Sequence, residues 1–292
     1  MAAVGAAGAQ FPFDGAPVPA AQSAGPGPAA ARHTVGSDPA VVRQPHGMNP
    51  AVARLERGGR SLVYRHRPGR GPTIVFLPGY ASDMEGSKAT ALDMWAEGQG
   101  RAMLRFDYGG CGASEGRFED ETLAGWRDDA LAMLDLVDGP AVLVGSSMGG
   151  WLMLLAALAR PGRVKALIGI AAAPDFTDWG YTPEQKATIR EEGCLLEDNP
   201  YGDSPTLTTR AFWESGERLK LLGGEIGFDG PVRLLHGLDD ADVPWRISLE
   251  LAQRLRSADV QTLLVKGGDH RLSREGDIAL LLRTADALLE SL

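Results

Sequence analysis

From residue 61 to residue 289 the chain alternates short apolar runs with longer amphipathic stretches. Residues 61–67 (Ser-Leu-Val-Tyr-Arg-His-Arg) alternate in polarity and predict an early, partly exposed strand. Thr73-Ile-Val-Phe-Leu77 predicts a buried strand that stops at the turn signal Pro78-Gly79-Tyr80. Further strands are predicted over 102–106, 141–144, 164–171, 231–235 and 260–265. Helical periodicity lies between them. Ala89, Leu92 and Trp95 mark a helix over 86–97, and Leu123, Trp126, Ala130 and Leu134 mark one over 122–137. Residues 247–255 and 276–289 predict two more, the last with Ile278, Leu281, Leu282 and Ala285 on one face.

Strands that alternate with helices imply a mostly parallel sheet covered on both faces. Ligands of such sheets bind outside the carboxyl ends of the strands. Residues 175–229 break the alternation. They carry Trp179, Tyr181, Tyr201, Phe212 and Trp213, contain no apolar strand run, and suggest short helices at 183–187 and 210–222. An insertion of this length in a compact domain is usually functional. It reads as a small helical cap over the site, with its aromatics as an apolar wall.

The chemistry centres on residues 140–160. An apolar run enters Gly145-Ser-Ser147-Met-Gly149, and an Ala/Leu-rich helix leaves it until Pro161-Gly162. Ser147 is the centre of Gly-x-Ser-x-Gly in the strand–turn–helix setting that a serine nucleophile requires. The flanking glycines leave room at the apex, and the helix N-terminus favours negative charge there. A serine hydroxyl needs a base. Of the five histidines, His33 and His46 lie in or beside the tail, His66 sits on an early strand, and His236 ends a strand before Gly237. His270 follows the last strand in a glycine-rich loop and is the expected base. The third member falls between serine and histidine in chain order. The loop 236–244 offers Asp239, Asp240 and Asp242, with the two unused acids expected in solvent or capping the next helix. Three acids together also suggest a metal site, but no second ligand cluster accompanies them. The oxyanion donors are expected to be the backbone amides of Met148 and Tyr80. The glycine-rich turn 107–114 reads as structural, with Asp107 tying down amides.

Composition narrows the setting. The 292 residues carry a formal charge of −9 and a pI near 5.1, which argues against a nucleic-acid partner. No run approaches the ~18 apolar residues that span a bilayer. Cys111 and Cys194 provide no disulfide framework and suit a reducing compartment. Of the first 32 residues, 22 are Ala, Gly or Pro, so 1–48 is expected to be a disordered tail and 49–292 the folded domain. The tail has neither the basic start of a secretory signal nor the arginines of a transit peptide. The expected location is therefore cytoplasmic.

Several strings together resemble a known family: Phe76-Leu-Pro-Gly-Tyr80, Arg105-Phe-Asp-Tyr108, Gly145-Ser-Ser-Met-Gly-Gly-Trp-Leu-Met-Leu154 and Ala166-Leu-Ile-Gly169. Arg233-Leu-Leu-His-Gly237, Asp240 with Val243-Pro-Trp245, and Asp269-His-Arg271 complete the set. With the order Ser147, acid, His270, they are similar to the α/β-hydrolase fold superfamily. Within it they resemble the mitochondrial palmitoyl-protein thioesterases, also described as acyl-glucuronide esterases. The resemblance spans about residues 60–290, is weak in the cap, and is absent from the tail. It implies Asp240 as the acid, in a His-Gly-x-x-Asp-x-x-Val-Pro pattern. It also implies hydrolysis of acyl thioesters and esters through an acyl-enzyme, with no cofactor and no metal, on a lipid-acyl or acylated-protein substrate. A mitochondrial location is the resemblance's alternative to the cytoplasm. Two other readings stand beside it: a carboxylesterase of small or xenobiotic esters, and a non-catalytic binding module on the same fold.

Overall fold

A computed structural model describes residues 49–199 and 205–292, all within one compact unit. The tail expected over 1–48, with His33 and His46, and Tyr201 of the cap lie outside the described residues.

The described chain begins with β1 (Val52–Arg57), which half-buries every second residue. Gly58 and Gly59, at φ 58° and 79°, turn it back into β2 (Arg60–Arg67). Two consecutive left-handed residues are what a two-residue hairpin loop of this twist demands. Next come β3 (Arg70–Leu77), α1 (Ser87–Gly98), β4 (Arg101–Phe106) and α2 (Leu123–Leu136). β5 (Ala141–Ser146), α3 (Met148–Ala159) and β6 (Val164–Ile170) follow. The insertion holds α4 (Phe176–Trp179), α5 (Pro183–Glu192), β7 (Cys194–Glu197), β8 (Thr206–Thr209) and α6 (Arg210–Glu217). β9 (Val232–Gly237), α7 (Arg246–Arg254), β10 (Val260–Val265) and α8 (Glu275–Glu290) close the fold.

The sheet order is β1-β2-β4-β3-β5-β6-β9-β10. β1, β2 and β4 pair antiparallel at one edge, and every pairing from β4 through β3 to β10 is parallel. The strand pleat sends alternate residues to opposite faces. Val75 and Leu77 of β3 pack with α2, α3 and α7, while Ile74 and Phe76 pack with α1 and α8. β5 is buried at all six positions, and ten of the twelve residues of α3 are buried. That explains why α3 is apolar all round rather than striped. From β3 the chain steps outward to β4 and then back across to β5. The carboxyl ends of β3 and β5 therefore border the crevice where such sheets bind ligands.

Two expectations change. β1 precedes the first predicted strand, and the cap is not purely helical, because β7 and β8 form a separate two-stranded antiparallel sheet. Both strands of that sheet are four residues long, too short to show a period. The insertion is tied shut at its base by Asp175, a 4 % exposed residue at φ 59°. Its carboxylate accepts hydrogen bonds from the amides of Leu221 and Leu222 at 2.8 and 2.7 Å.

Candidate active site

Ser147 joins β5 to α3 with φ 54° and ψ −120°, a conformation that costs a non-glycine residue of order 1–3 kcal/mol. The surroundings hold it there. Its amide donates to the Ile170 carbonyl at 2.9 Å, and its carbonyl accepts from Gly150 and Ala173 at 2.8 and 3.1 Å. The turn also needs glycines. A Cβ on Gly149 would lie 2.1 Å from the Leu77 carbonyl oxygen, and one on Gly145 would lie 2.3 Å from the Gly149 carbonyl oxygen. Both obstacles are backbone and cannot swing aside. Gly149→Ala is therefore expected to cost about 3 kcal/mol or more, at the upper end for overpacking. Urea unfolding of the variant checks this, and a loss under 1 kcal/mol would contradict it.

The loops after β5, β9 and β10 bring three predicted residues together. The Ser147 Oγ lies 3.1 Å from His270 Nε2, and His270 Nδ1 lies 2.9 Å from Asp240 Oδ2. With Nδ1 donating to the carboxylate, Nε2 is left as an acceptor for the hydroxyl proton. Of the three candidate acids, only Asp240 bonds His270. Asp239 and Asp242 are exposed, and neither caps α7, whose N-cap is Trp245 with no side-chain bond. Burial by itself would raise the Asp240 pKa. Hydrogen bonds from His236 and His270 outweigh it and hold the carboxyl well below the usual range. Asp240, Asp242 and His270 place ligand atoms within 4.8 Å of one another, but both His270 nitrogens are already engaged by Ser147 and Asp240.

Tyr80 follows β3 and Met148 is the first residue of α3. The two loops meet at Gly79, whose Cβ position lies 3.4 Å from the Ser147 Cβ. The Tyr80 ring is wedged among Phe118, Trp126, Phe176 and Phe212, and its hydroxyl donates to the Leu207 carbonyl in β8 at 2.5 Å. The loop after β3 is thus fastened to the cap. Asp107 has the structural part expected of it, accepting from the Met84 and Ala113 amides at 2.7 and 2.8 Å.

A cleft of about 460 Å³ opens over Ser147 and His270. Among the described residues, the cap reaches it through Asn199 and Thr206 and not through its aromatics. Trp179, Phe212 and Trp213 pack inward instead. The Trp179 and Trp213 indoles donate to the Pro174 and Thr177 carbonyls, and Phe212 is fully covered. The expected aromatic wall is therefore part of the core beneath the cap. Ser82, Ser87, Lys88 and Arg271 give the cleft a polar rim instead. Burial and the neighbouring Arg271 push the Lys88 ammonium down to about 8. Nothing in the sequence marks this rim, because its residues come from the loop after β3, from α1 and from the loop after β10 and meet only in the fold.

An eight-stranded, mostly parallel sheet with a serine at the strand–helix turn defines a class of protein. The chain belongs to the α/β-hydrolase fold family, a family of hydrolases whose description, "alpha/beta hydrolase fold", matches residues 72–193. It is 43 % identical over 237 residues to the human mitochondrial palmitoyl-protein thioesterase ABHD10, covering 80 % of this chain and 78 % of that one. The solved structure of mouse alpha/beta hydrolase domain-containing protein 10 is similar with a TM-score of 0.78 and 41 % identity, over 82 % of this chain and 99 % of the other. A solved protein from Agrobacterium vitis S4 is similar with a TM-score of 0.76 and 37 % identity, over 82 % and 98 %. The compartment in the relatives' names agrees with the mitochondrial alternative and not with the cytoplasmic expectation. Among the described residues, no helix is long and apolar enough to cross a membrane.

Proposed function

We propose that the chain is a serine hydrolase that cleaves acyl thioesters and activated carboxylic esters through an acyl-enzyme. The observation that carries this is the continuous hydrogen-bonded line Ser147–His270–Asp240. His270 takes the hydroxyl proton as Ser147 attacks the acyl carbonyl. Asp240 holds the imidazole in the Nδ1–H tautomer and stabilises the imidazolium. The amides of Tyr80 and Met148 receive the oxyanion. His270 then protonates the departing thiolate or alkoxide. Water, deprotonated by His270, attacks the ester on Ser147 and releases the acid.

The curated relatives named palmitoyl-protein thioesterase favour an acylated protein as the substrate. The polar rim of the cleft favours a second reading, a carboxylesterase of small esters. A panel of acyl-CoAs, S-acylated cysteine peptides, the matching N-acyl amides and p-nitrophenyl esters from two to sixteen carbons separates them. Each CH₂ buried is worth about 0.8 kcal/mol, so a chain-binding enzyme gains several-fold in kcat/KM per added pair of carbons. A profile that climbs to long chains, with thioesters ahead of amides, is the expected result. A profile that falls beyond four carbons would transfer the assignment to the small-ester reading. The relatives also favour the mitochondrion as the compartment, and fractionation of cells expressing the full chain tests that.

A further inference from the structure

His236 is a fully buried histidine that the reaction above leaves without a part. It is the next-to-last residue of β9, four residues before Asp240. Its Nε2 lies 3.1 Å from Asp240 Oδ2 and 3.0 Å from the Val243 carbonyl oxygen, two acceptors that together require a proton on Nε2. Its Nδ1 lies 2.7 Å from the Oγ of Ser248 on α7, itself 0 % exposed. In that tautomer Nδ1 is an acceptor, so the Ser248 hydroxyl donates to it.

The Asp240 carboxylate then has four donors. Oδ1 accepts from the amides of Asp242 and Val243 at 2.9 and 2.8 Å, and Oδ2 accepts from His270 and faces the His236 Nε2 at 3.1 Å, whose one N–H it shares with the Val243 carbonyl. A carboxylate offers about four lone-pair positions, so this one is saturated. A saturated carboxylate can neither rotate away from His270 nor recruit water. We propose that His236, held in its tautomer by Ser248, is a positioning residue that fixes Asp240 against His270. The role rests on the parts given above to Ser147, His270 and Asp240.

The role has a sign. The Nε2–H, shared between the Val243 carbonyl and Asp240, places positive charge 3.1 Å from Oδ2, so it partly offsets the negative charge that stabilises the His270 imidazolium. Removing that N–H makes protonated His270 more stable, and the acid limb of the kcat/KM profile moves to higher pH. Removing it also frees one oxygen of Asp240, which loosens the imidazole.

The experiment compares His236→Leu, His236→Gln and Ser248→Ala with the wild type on one p-nitrophenyl ester across pH. His236→Leu is expected to lower kcat about 10- to 100-fold, the range of one hydrogen bond to a charged group. KM should change little and the acid limb should rise. His236→Gln, whose amide can still donate to Asp240 and accept from Ser248, should restore most of kcat and return the limb. Ser248→Ala should fall several-fold in kcat in the same direction. A folded His236→Leu with wild-type kcat and an unmoved acid limb overturns the proposal. Should that variant fail to fold, Ser248→Ala decides alone: wild-type kcat and an unmoved limb overturn it equally. Failure of the underlying assignment would look different, because Asp240→Asn would then itself leave turnover intact.

Discussion

Ser147→Ala is expected to lose almost all turnover. What remains should be at most the ~10³–10⁴-fold over water that binding and an oxyanion site provide without a nucleophile. Steady-state hydrolysis of a p-nitrophenyl ester reads the loss, and a variant within tenfold of wild type would contradict the assignment. Stability should move the other way in Ser147→Gly. The backbone at this position is left-handed, with φ 54°. Glycine removes a strain of order 1–3 kcal/mol while adding about 0.5–1 kcal/mol of unfolded-chain entropy. Relief is the larger of the two, so Ser147→Gly should be more stable than wild type by about 1 kcal/mol in urea unfolding. A residue that weakens the fold and is nevertheless kept at the site is what a stability–activity trade-off predicts.

Asp240→Asn is expected to lower kcat on the order of 10⁴-fold, the loss recorded for the orienting acid in the serine-protease case. An amide at this place would offer His270 Nδ1 a donor or a weaker acceptor, and the tautomer that leaves Nε2 free to take the Ser147 proton would no longer be enforced. Asp239→Asn and Asp242→Asn should stay within a few-fold of wild type, since both residues are exposed and neither bonds His270. The three variants form one experiment, and a severe Asp242→Asn beside a mild Asp240→Asn would reverse the assignment. The pH profile adds a second check. Asp240 is held well below the usual carboxylate range by its donors. The acid limb of kcat/KM should therefore show no carboxylate step in the usual carboxylate range. A second protonation in the acid limb would mean that Asp240 is not held ionised.

The sheet was legible because its central strands are buried on both faces. Residues 73–77, 141–144 and 166–170 are nearly continuous apolar runs for that reason. Elements at the margins were not. β1 carries Arg54, Glu56 and Arg57 on a half-exposed edge, and β7 and β8 are only four residues each. The Ser147 turn was legible because its glycines answer a steric demand within five residues. Asp240 was narrowed only to a loop. Choosing among three acids depends on where each carboxylate points, and that is set by the amides of Asp242 and Val243 and by His236. The family resemblance supplied the choice that spacing could not. His236 was weighed only as a base, although its four-residue spacing from Asp240 lay within the quoted pattern. Its partner Ser248 sits on α7, and nothing in the intervening sequence couples the two. The cap's aromatics were misplaced because composition does not say which way a ring faces. Trp213 and Phe212 are 6 % and 2 % exposed and belong to the core.

The most direct test is to map the covalent adduct of a fluorophosphonate probe by peptide mass spectrometry. Trypsin should release residues 128–163 as one peptide, because Pro161 blocks cleavage after Arg160. That peptide holds two adjacent serines, 146 and 147, so fragmentation must place the adduct between them. The expected result is a single adduct on Ser147, absent from Ser147→Ala and formed far more slowly in His270→Ala. An adduct on Ser146 or on another residue, or undiminished labelling of Ser147→Ala, would contradict the covalent role of Ser147.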